Sequence, residues 1–176
     1  LPGDRVMPMG LRIGHGYDVH TFGDPGKGNP ADGLTLGGVK IPHDRSLLAH
    51  SDGDVVVHAL CDAILGALGL GDIGQHFPDN DPKFAGIDSL LLLAEVISMA
   101  GLQNQTLTNA DLTIVAQKPK LAGFLPAMRE KLAECCRVPA ASVNLKATTT
   151  EGLGFAGREE GIAAYAVVLM GEAPAT

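Results

Sequence analysis

The sequence predicts one α+β domain, and three observations predict it. Strand-like and helix-like segments follow one another as ββαα, then β, α and ββ, which is not the strict alternation of a doubly wound sheet. A length of 176 residues suits one domain, and 45% hydrophobic residues suffice for a full core. No internal repeat or low-complexity linker divides the chain.

The elements follow in order. Residues 1–10 show no periodicity and read as a flexible N-terminal arm. From Leu11 to Phe22 the pattern is that of a strand, with Ile13, Tyr17 and Val19 among small and polar residues. Asp24–Gly33 is rich in Gly, Pro, Asn and Asp and reads as a loop. Leu34–Ile41, two short apolar runs about Gly37-Gly38, reads as a strand or bulged strand. A helix starts near Ser51 or Asp52 and runs through Val55, Val56, Leu60, Ile64 and Leu68 to about Leu70, where Gly71 stops it. Gly71–Pro82 is a loop with two prolines and three aspartates. A second helix spans Asp88–Ala100, closed by Gly101. Thr106–Gln117 is a strand, Lys120–Cys136 an amphipathic helix broken or restarted at Pro126, and Ser142–Thr150 and Gly161–Met170 are two further strands. Residues 11–170 form the domain and 171–176 a tail.

Composition excludes several functions. A net charge of −7 with no basic block argues against nucleic-acid binding, and two Tyr, five Phe and no Trp leave little for base stacking. The longest apolar stretch, Leu90–Leu102, is interrupted by Glu95 and Ser98 and is too short to span a bilayer. Three cysteines, Cys61 and the adjacent Cys135 and Cys136, do not form a disulfide framework and fit reduced thiols in a cytosol-like compartment.

Three constellations can carry chemistry. In Gly14-His15-Gly16-Tyr17-Asp18-Val19-His20, strand alternation sends Gly14, Gly16, Asp18 and His20 to one face. Asp18 and His20 can then grip one metal beside the space the glycines leave, and carboxylate plus imidazole suits zinc; a plain strand edge explains the pattern as well. In Ala49–Asp62, a helix would align Asp54, His58 and Asp62, either as a solvated face or as a polar face needing a partner. His58 sits in an otherwise core-like segment and can complete Asp18 and His20 as a third ligand; Cys61 beside it reads as a small buried hydrophobe. In Lys146–Gly154, three consecutive threonines and Glu151 can meet phosphate oxygens and a hard divalent ion, or simply reflect β-propensity at a strand end. His43 and His76 lie in polar loops that surface positions explain. No GxSxG, no GxxxxGK[ST] and no Cys–His arrangement that recommends a covalent nucleophile is present, and the GxGxxG at Gly152–Gly157 lies in the turn between two expected strands rather than between a strand and a helix.

Five blocks in order, RIGHGYDVH (Arg12–His20), LLAHSDGDVVVHAL (Leu47–Leu60), GDIGQHFPD (Gly71–Asp79), IVAQKPK (Ile114–Lys120) and KATTTEGLGFAGR (Lys146–Arg158), resemble the 2-C-methyl-D-erythritol 2,4-cyclodiphosphate synthase family of non-mevalonate isoprenoid biosynthesis. The resemblance covers residues 11–170; the Asp24–Asp32 loop is longer than the family's, and His76 and Ala156 depart from its pattern, none of them at a metal position. It implies a mixed sheet packed by helices on one side, in a homotrimer around a central cavity with active sites at subunit interfaces. It implies Asp18, His20 and His58 as zinc ligands and Glu151 as the residue holding magnesium or manganese between two phosphates. His50 and Ser51 would contact phosphate, with His50 and Thr149 stabilising the transition state. Asp18, His20, Asp72, Ile73, Gly74, Phe77, Pro78, Asp79, Asn80 and Asp81 would contact the substrate. Ala116, Gln117, Lys118, Pro119, Lys120, Leu121 and Ala122 would form a cytosine pocket reading base edges mainly with backbone groups. Thr148, Thr149, Thr150 and Glu151 would meet the diphosphate, and Phe155 and Arg158 would face the central cavity, where the family can hold an isoprenoid diphosphate.

The implied reaction converts 4-diphosphocytidyl-2-C-methyl-D-erythritol 2-phosphate to the cyclic diphosphate and CMP, with positioning and electrostatics carrying the catalysis. The alternatives are a zinc-dependent phosphohydrolase of a nucleotide diphosphate, separated by its open-chain products, and a non-catalytic module in which four protein ligands close a structural zinc site. The expected location is a bacterial cytoplasm rather than a plastid stroma. The charge of −7 still excludes a nucleic-acid polymer but admits one small polyanion, because bound cations can supply the local positive charge.

Overall fold

The computed structural model describes residues 10–24, 33–84 and 86–173. The expected arm up to residue 9, nearly all of the Asp24–Gly33 loop and the last three tail residues lie outside them.

The first strand, β1 (Arg12–Thr21), turns Gly14, Gly16, Asp18 and His20 inward and leaves Ile13, His15, Tyr17 and Val19 on the other face. Leu34–Ile41 is two strands, not one. β2 (Leu34–Leu36) and β3 (Val39–Ile41) pair antiparallel about Gly37 and Gly38, whose φ angles of 55° and 73° suit the tight turn that matches strand twist.

Helix α1 (Val55–Leu68) begins later than Ser51 or Asp52, because Asp54 is its cap. The buried Asp54 carboxylate accepts N–H bonds from Val56 and Val57 at the helix start and from Gly37 and Gly38 at the hairpin turn. Asp54 therefore does not share a polar helical face with His58 and Asp62. Gly69, not Gly71, ends the helix: it takes the left-handed conformation at φ 71°, and Leu70 N–H returns to Leu65 C=O.

The expected Gly71–Pro82 loop contains a one-turn helix, α2 (Ile73–His76), and runs into a 3-10 turn at Pro82–Phe84. α3 (Ser89–Leu102) is capped by Asp88; Gly101, expected to stop it, lies inside its last turn. β4 (Gln105–Val115) has a bulge at Thr108 that lets Leu107 and Ala110 both face inward. α4 (Leu125–Cys135) starts five residues later than Lys120, with Pro126 in its first turn, where a missing N–H costs nothing. β5 (Val143–Thr148) is followed by a short turn of helix, α5 (Gly154–Gly157). β6 (Gly161–Glu172) carries the chain two residues into the segment expected as a tail.

Four strands form a mixed sheet in the order β1-β6-β4-β5, with β4 and β5 parallel and the other pairs antiparallel. α1 packs on β1 and β6, α3 on α1 and β4, and α4 on β5. Leu60, Ile64, Leu93, Leu112, Ile114, Met128, Leu132 and Ile162 are fully buried between these layers. Helices therefore cover one face of the sheet. The other face carries exposed Ile13, Tyr17, Val19, Tyr165 and Val167, with Tyr17 and Tyr165 in ring contact at 4.8 Å. The three cysteines are free; burial pushes the Cys61 thiol well up and that of Cys136 to about 12, which makes both unreactive packing groups.

Candidate active site

The site depends on how closely α1 approaches β1. A Cβ added at Gly14 would lie 1.7 Å from the Ala63 carbonyl oxygen, and one at Gly16 would lie 1.9 Å from that of Ala59. The space expected beside the glycines is filled by the α1 backbone. That contact sets His58, near the start of α1, against Asp18 and His20 at the end of β1.

Asp18 Oδ2, His20 Nε2 and His58 Nδ1 form a triangle: His58 lies 3.0 Å from Asp18, His20 lies 3.1 Å from Asp18, and the two ring nitrogens are 3.1 Å apart. Among the described residues these three form the one group of His, Cys, Asp or Glu placed to hold a metal. Ligands on one tetrahedral zinc with ~2.0 Å bonds stand ~3.3 Å apart, so this donor set fits zinc with little adjustment. Burial works to raise the Asp18 carboxyl, but hydrogen bonds from His20 and His58 outweigh it and hold Asp18 well below the carboxylate range. Burial works to lower His58, but the bond and charge of Asp18 outweigh it and raise His58 above its ordinary value.

The triangle lies in a cleft of about 430 Å³ lined also by His50, Ser51, Ile73, Gly74, Phe77, Pro78, Asp79 and Asn80. Asp72 caps α2 by accepting from Gln75, and the half-buried Asp62 accepts the Ile73 N–H at 2.7 Å, tying this loop to α1 one turn beyond His58. Asp81 accepts the Lys83 N–H. Sequence reasoning missed Ala49, Phe84, Ile87 and Leu92 in the lining. The apolar Phe84 and Ile87 within a polar loop were the available signal. It also missed Ser89, whose hydroxyl lies 2.9 Å from His58 Nε2 and which no local pattern links to His58.

The other expected residues form a second cleft of about 250 Å³ lined by Ala116, Gln117, Pro119, Lys120, Leu121, Ala122, Thr148 and Thr149. Lys118 is turned to an ion pair with Glu159 at 3.0 Å, and the Lys118–Pro119 peptide is cis. Thr150 Oγ1 donates to Leu153 C=O, and Glu151, at φ 53°, accepts from Thr149 Oγ1 at 3.0 Å. Phe155 is exposed on α5, and Arg158 makes a two-point ion pair with Glu160 at 2.8 and 3.1 Å.

The two clefts share no lining residue. β1 and β5 are opposite edges of the sheet, although strand directions put His20 and Thr148 at the same end. Three strand spacings of ~4.8 Å separate those edges by ~14 Å.

A family model described as the YgbB family matches residues 11–171. The 2-C-methyl-D-erythritol 2,4-cyclodiphosphate synthase of Geobacter metallireducens is 60% identical over 160 residues, covering 91% of this chain and 98% of that one. Among solved structures, the bifunctional IspDF of Campylobacter jejuni superposes with a TM-score of 0.86 at 43% identity over 93% of this chain, which spans only 42% of that longer one. A CDP complex of Plasmodium falciparum IspF gives a TM-score of 0.79 at 33% identity, covering 93% of this chain and 97% of that one. Fold, site geometry and likeness over nearly the whole length agree: the chain belongs to the YgbB family.

Proposed function

We propose that this chain converts 4-diphosphocytidyl-2-C-methyl-D-erythritol 2-phosphate to 2-C-methyl-D-erythritol 2,4-cyclodiphosphate and CMP. The observation that carries the reading is the Asp18–His20–His58 triangle in a cleft lined by His50 and Ser51, within a chain 60% identical to a synthase of that name. In the reaction a 2-phosphate oxygen bonds to the β-phosphorus. The bond from that phosphorus to the oxygen bridging the α-phosphate breaks, and CMP leaves with the electron pair. The attacking phosphate needs no protein nucleophile, so the chain's task is to align two anions and exclude water.

Asp18, His20 and His58 would hold zinc, which would supply Lewis acidity and a template, and Glu151 would hold magnesium or manganese, which would supply positive charge to the diphosphate. His50 and Ser51 present a ring and a hydroxyl to the phosphates from the first cleft, and Thr149 presents a hydroxyl from the second. Ile73, Gly74 and Phe77–Asn80 enclose the erythritol portion. Ala116–Ala122 receive the cytosine, in keeping with the CDP complex of the Plasmodium relative. Three donors, and no fourth protein ligand, meet at the triangle among the described residues, and all three line the cleft; this favours a reacting site over a structural zinc closed by four protein ligands.

The working unit in this reading is a homotrimer. The uncovered sheet face is apolar along β1 and β6, and a monomer rarely leaves such a face in water. The separation of the clefts on one chain supports a site shared between neighbouring copies. Phe155 and Arg158 then face the central cavity, where an isoprenoid diphosphate would compete with Glu160 for Arg158. No helix among the described residues is long and apolar enough to cross a membrane, and the bacterial relatives support a bacterial cytoplasm.

Phosphorus NMR of the product, with and without a chelator, tests the proposal. A cyclic diphosphate with CMP supports it; two open-chain phosphates would instead mean a phosphohydrolase.

A further inference from the structure

His58 has two ring nitrogens, and only one can ligate. Nδ1 faces Asp18 and His20, while Nε2 faces the hydroxyls of Ser89 at 2.9 Å and Ser51 at 3.1 Å. The two serines are not equivalent. Ser89 is fully buried at the first position of α3, and its hydroxyl lies 2.5 Å from Asp52 Oδ1. Asp52 is held from several sides: Oδ2 accepts the Ser89 N–H, Oδ1 accepts the Asp54 N–H, and its own N–H goes to Ile87 C=O. Both Asp52 oxygens already accept N–H bonds and the Ser89 hydroxyl donates to Oδ1, so the single Ser89 hydroxyl proton is committed to Asp52. Ser89 then has only lone pairs to offer His58, and Nε2 must carry the proton that joins them. Ser51 is only half-buried and lines the cleft, so its hydroxyl is free to turn towards a ligand.

We infer that Ser89, oriented by Asp52, is a positioning residue that holds His58 with its proton on Nε2 and so leaves Nδ1 bare as the ligating atom. The consequence is visible in the triangle. With its neutral proton on Nε2, His58 can bond to Asp18 Oδ2, 3.0 Å from Nδ1, only by taking a second proton on Nδ1; a cation placed between the two atoms replaces that proton. The inference ties the start of α3 to the metal centre, and it rests on the metal reading proposed above.

The test is a zinc titration of the full-length protein against a chromophoric chelator, together with ring-nitrogen NMR of His58 and thermal unfolding. Ser89→Ala should weaken zinc binding ~10–100-fold, the usual effect of removing the partner of a ligating histidine. Its metal-free His58 should also gain a population protonated on Nδ1. Asp52→Asn, which frees the Ser89 hydroxyl to point at Nε2, should move both readouts in the same direction. Asp88→Ala removes the cap bond to Leu90 N–H without touching His58, and should lower thermal stability but leave zinc affinity unchanged. The inference is overturned if Ser89→Ala binds zinc and titrates its ring nitrogens as wild type does, if Ser51→Ala alone shifts the tautomer, or if Asp88→Ala weakens zinc equally. Wild-type protein that takes up no zinc would overturn the metal reading, and this inference with it.

Discussion

His20 Nε2 stands 3.1 Å from His58 Nδ1, although the residues are 38 positions apart and belong to a strand and a helix. Two imidazole nitrogens and the Asp18 carboxylate converge on one point, and Asp18 is the only anion in that triangle. Replacing His58 with Ala should reduce bound zinc and turnover to background while the far-UV spectrum stays that of the folded protein. The stability cost should be ~1–2 kcal/mol, because the vacated space lies at the edge of the core. Metal analysis of the purified variant checks this; wild-type zinc content would sink the ligand assignment.

Zinc affinity should depend on pH in a defined direction. In the metal-free protein Asp18 raises His58 above its ordinary value, while Asp18 itself is held low and stays ionised. Zinc must displace the His58 proton, so apparent affinity should fall up to ~tenfold per pH unit below the raised value and level off above it. Calorimetry in buffers of different ionisation enthalpy should show proton release on binding at the acidic end. An affinity flat between pH 5 and 7 would contradict the coupling.

The approach of α1 to β1 predicts a contrast between two glycines. Gly16→Ala must push its Cβ into the Ala59 carbonyl, so it should cost ~1–3 kcal/mol or more and displace His58, weakening zinc as well. Gly66→Ala, within α1, meets only the His15 carbonyl at 3.9 Å and should stabilise by ~0.5–1 kcal/mol with zinc affinity intact. Chemical denaturation and zinc titration of both variants read out the difference.

Glu151 is exposed and bonds only within its own loop, so Glu151→Gln should leave folding and zinc content unchanged. Loss of a charged ligand worth ~1.5–3 kcal/mol should raise the magnesium or manganese needed for half-maximal activity ~10–100-fold. An unaltered dependence on added metal would remove Glu151 from that role.

Val167 is 45% exposed on the uncovered face of the sheet. Val167→Asp should leave the monomer folded but place an unpaired charge in the proposed interface, at a cost of ~3–5 kcal/mol per copy. Light scattering should then report monomers, and activity should fall with the trimer. A variant that remains trimeric and active would refute this face as the interface.

Local chemistry made much of this legible in advance. Period-two alternation already placed Asp18 and His20 on the same face of a strand as Gly14 and Gly16, because strand geometry depends only on neighbours along the chain; that this face is the inner one came from the packing of α1. Helix boundaries were less legible. Asp54 rather than Ser51 or Asp52 caps α1, since its carboxylate also serves the turn at Gly37-Gly38, which sequence proximity does not reveal. Gly101 sits inside α3 because a glycine near a helix end need not terminate it.

By itself, the sequence determined the α+β class, the shared strand face of Gly14, Gly16, Asp18 and His20, the free thiols and the five motif blocks that resemble one family. Only the tertiary structure decided that α1 fills the space above the two glycines, that Ser89 stands behind His58, and that the two halves of the proposed site lie at opposite edges of one sheet. The physical reason is range. Alternation, capping and turn chemistry act over a few residues, whereas a metal triangle and its supporting hydrogen bonds join atoms from segments that meet only when the core closes.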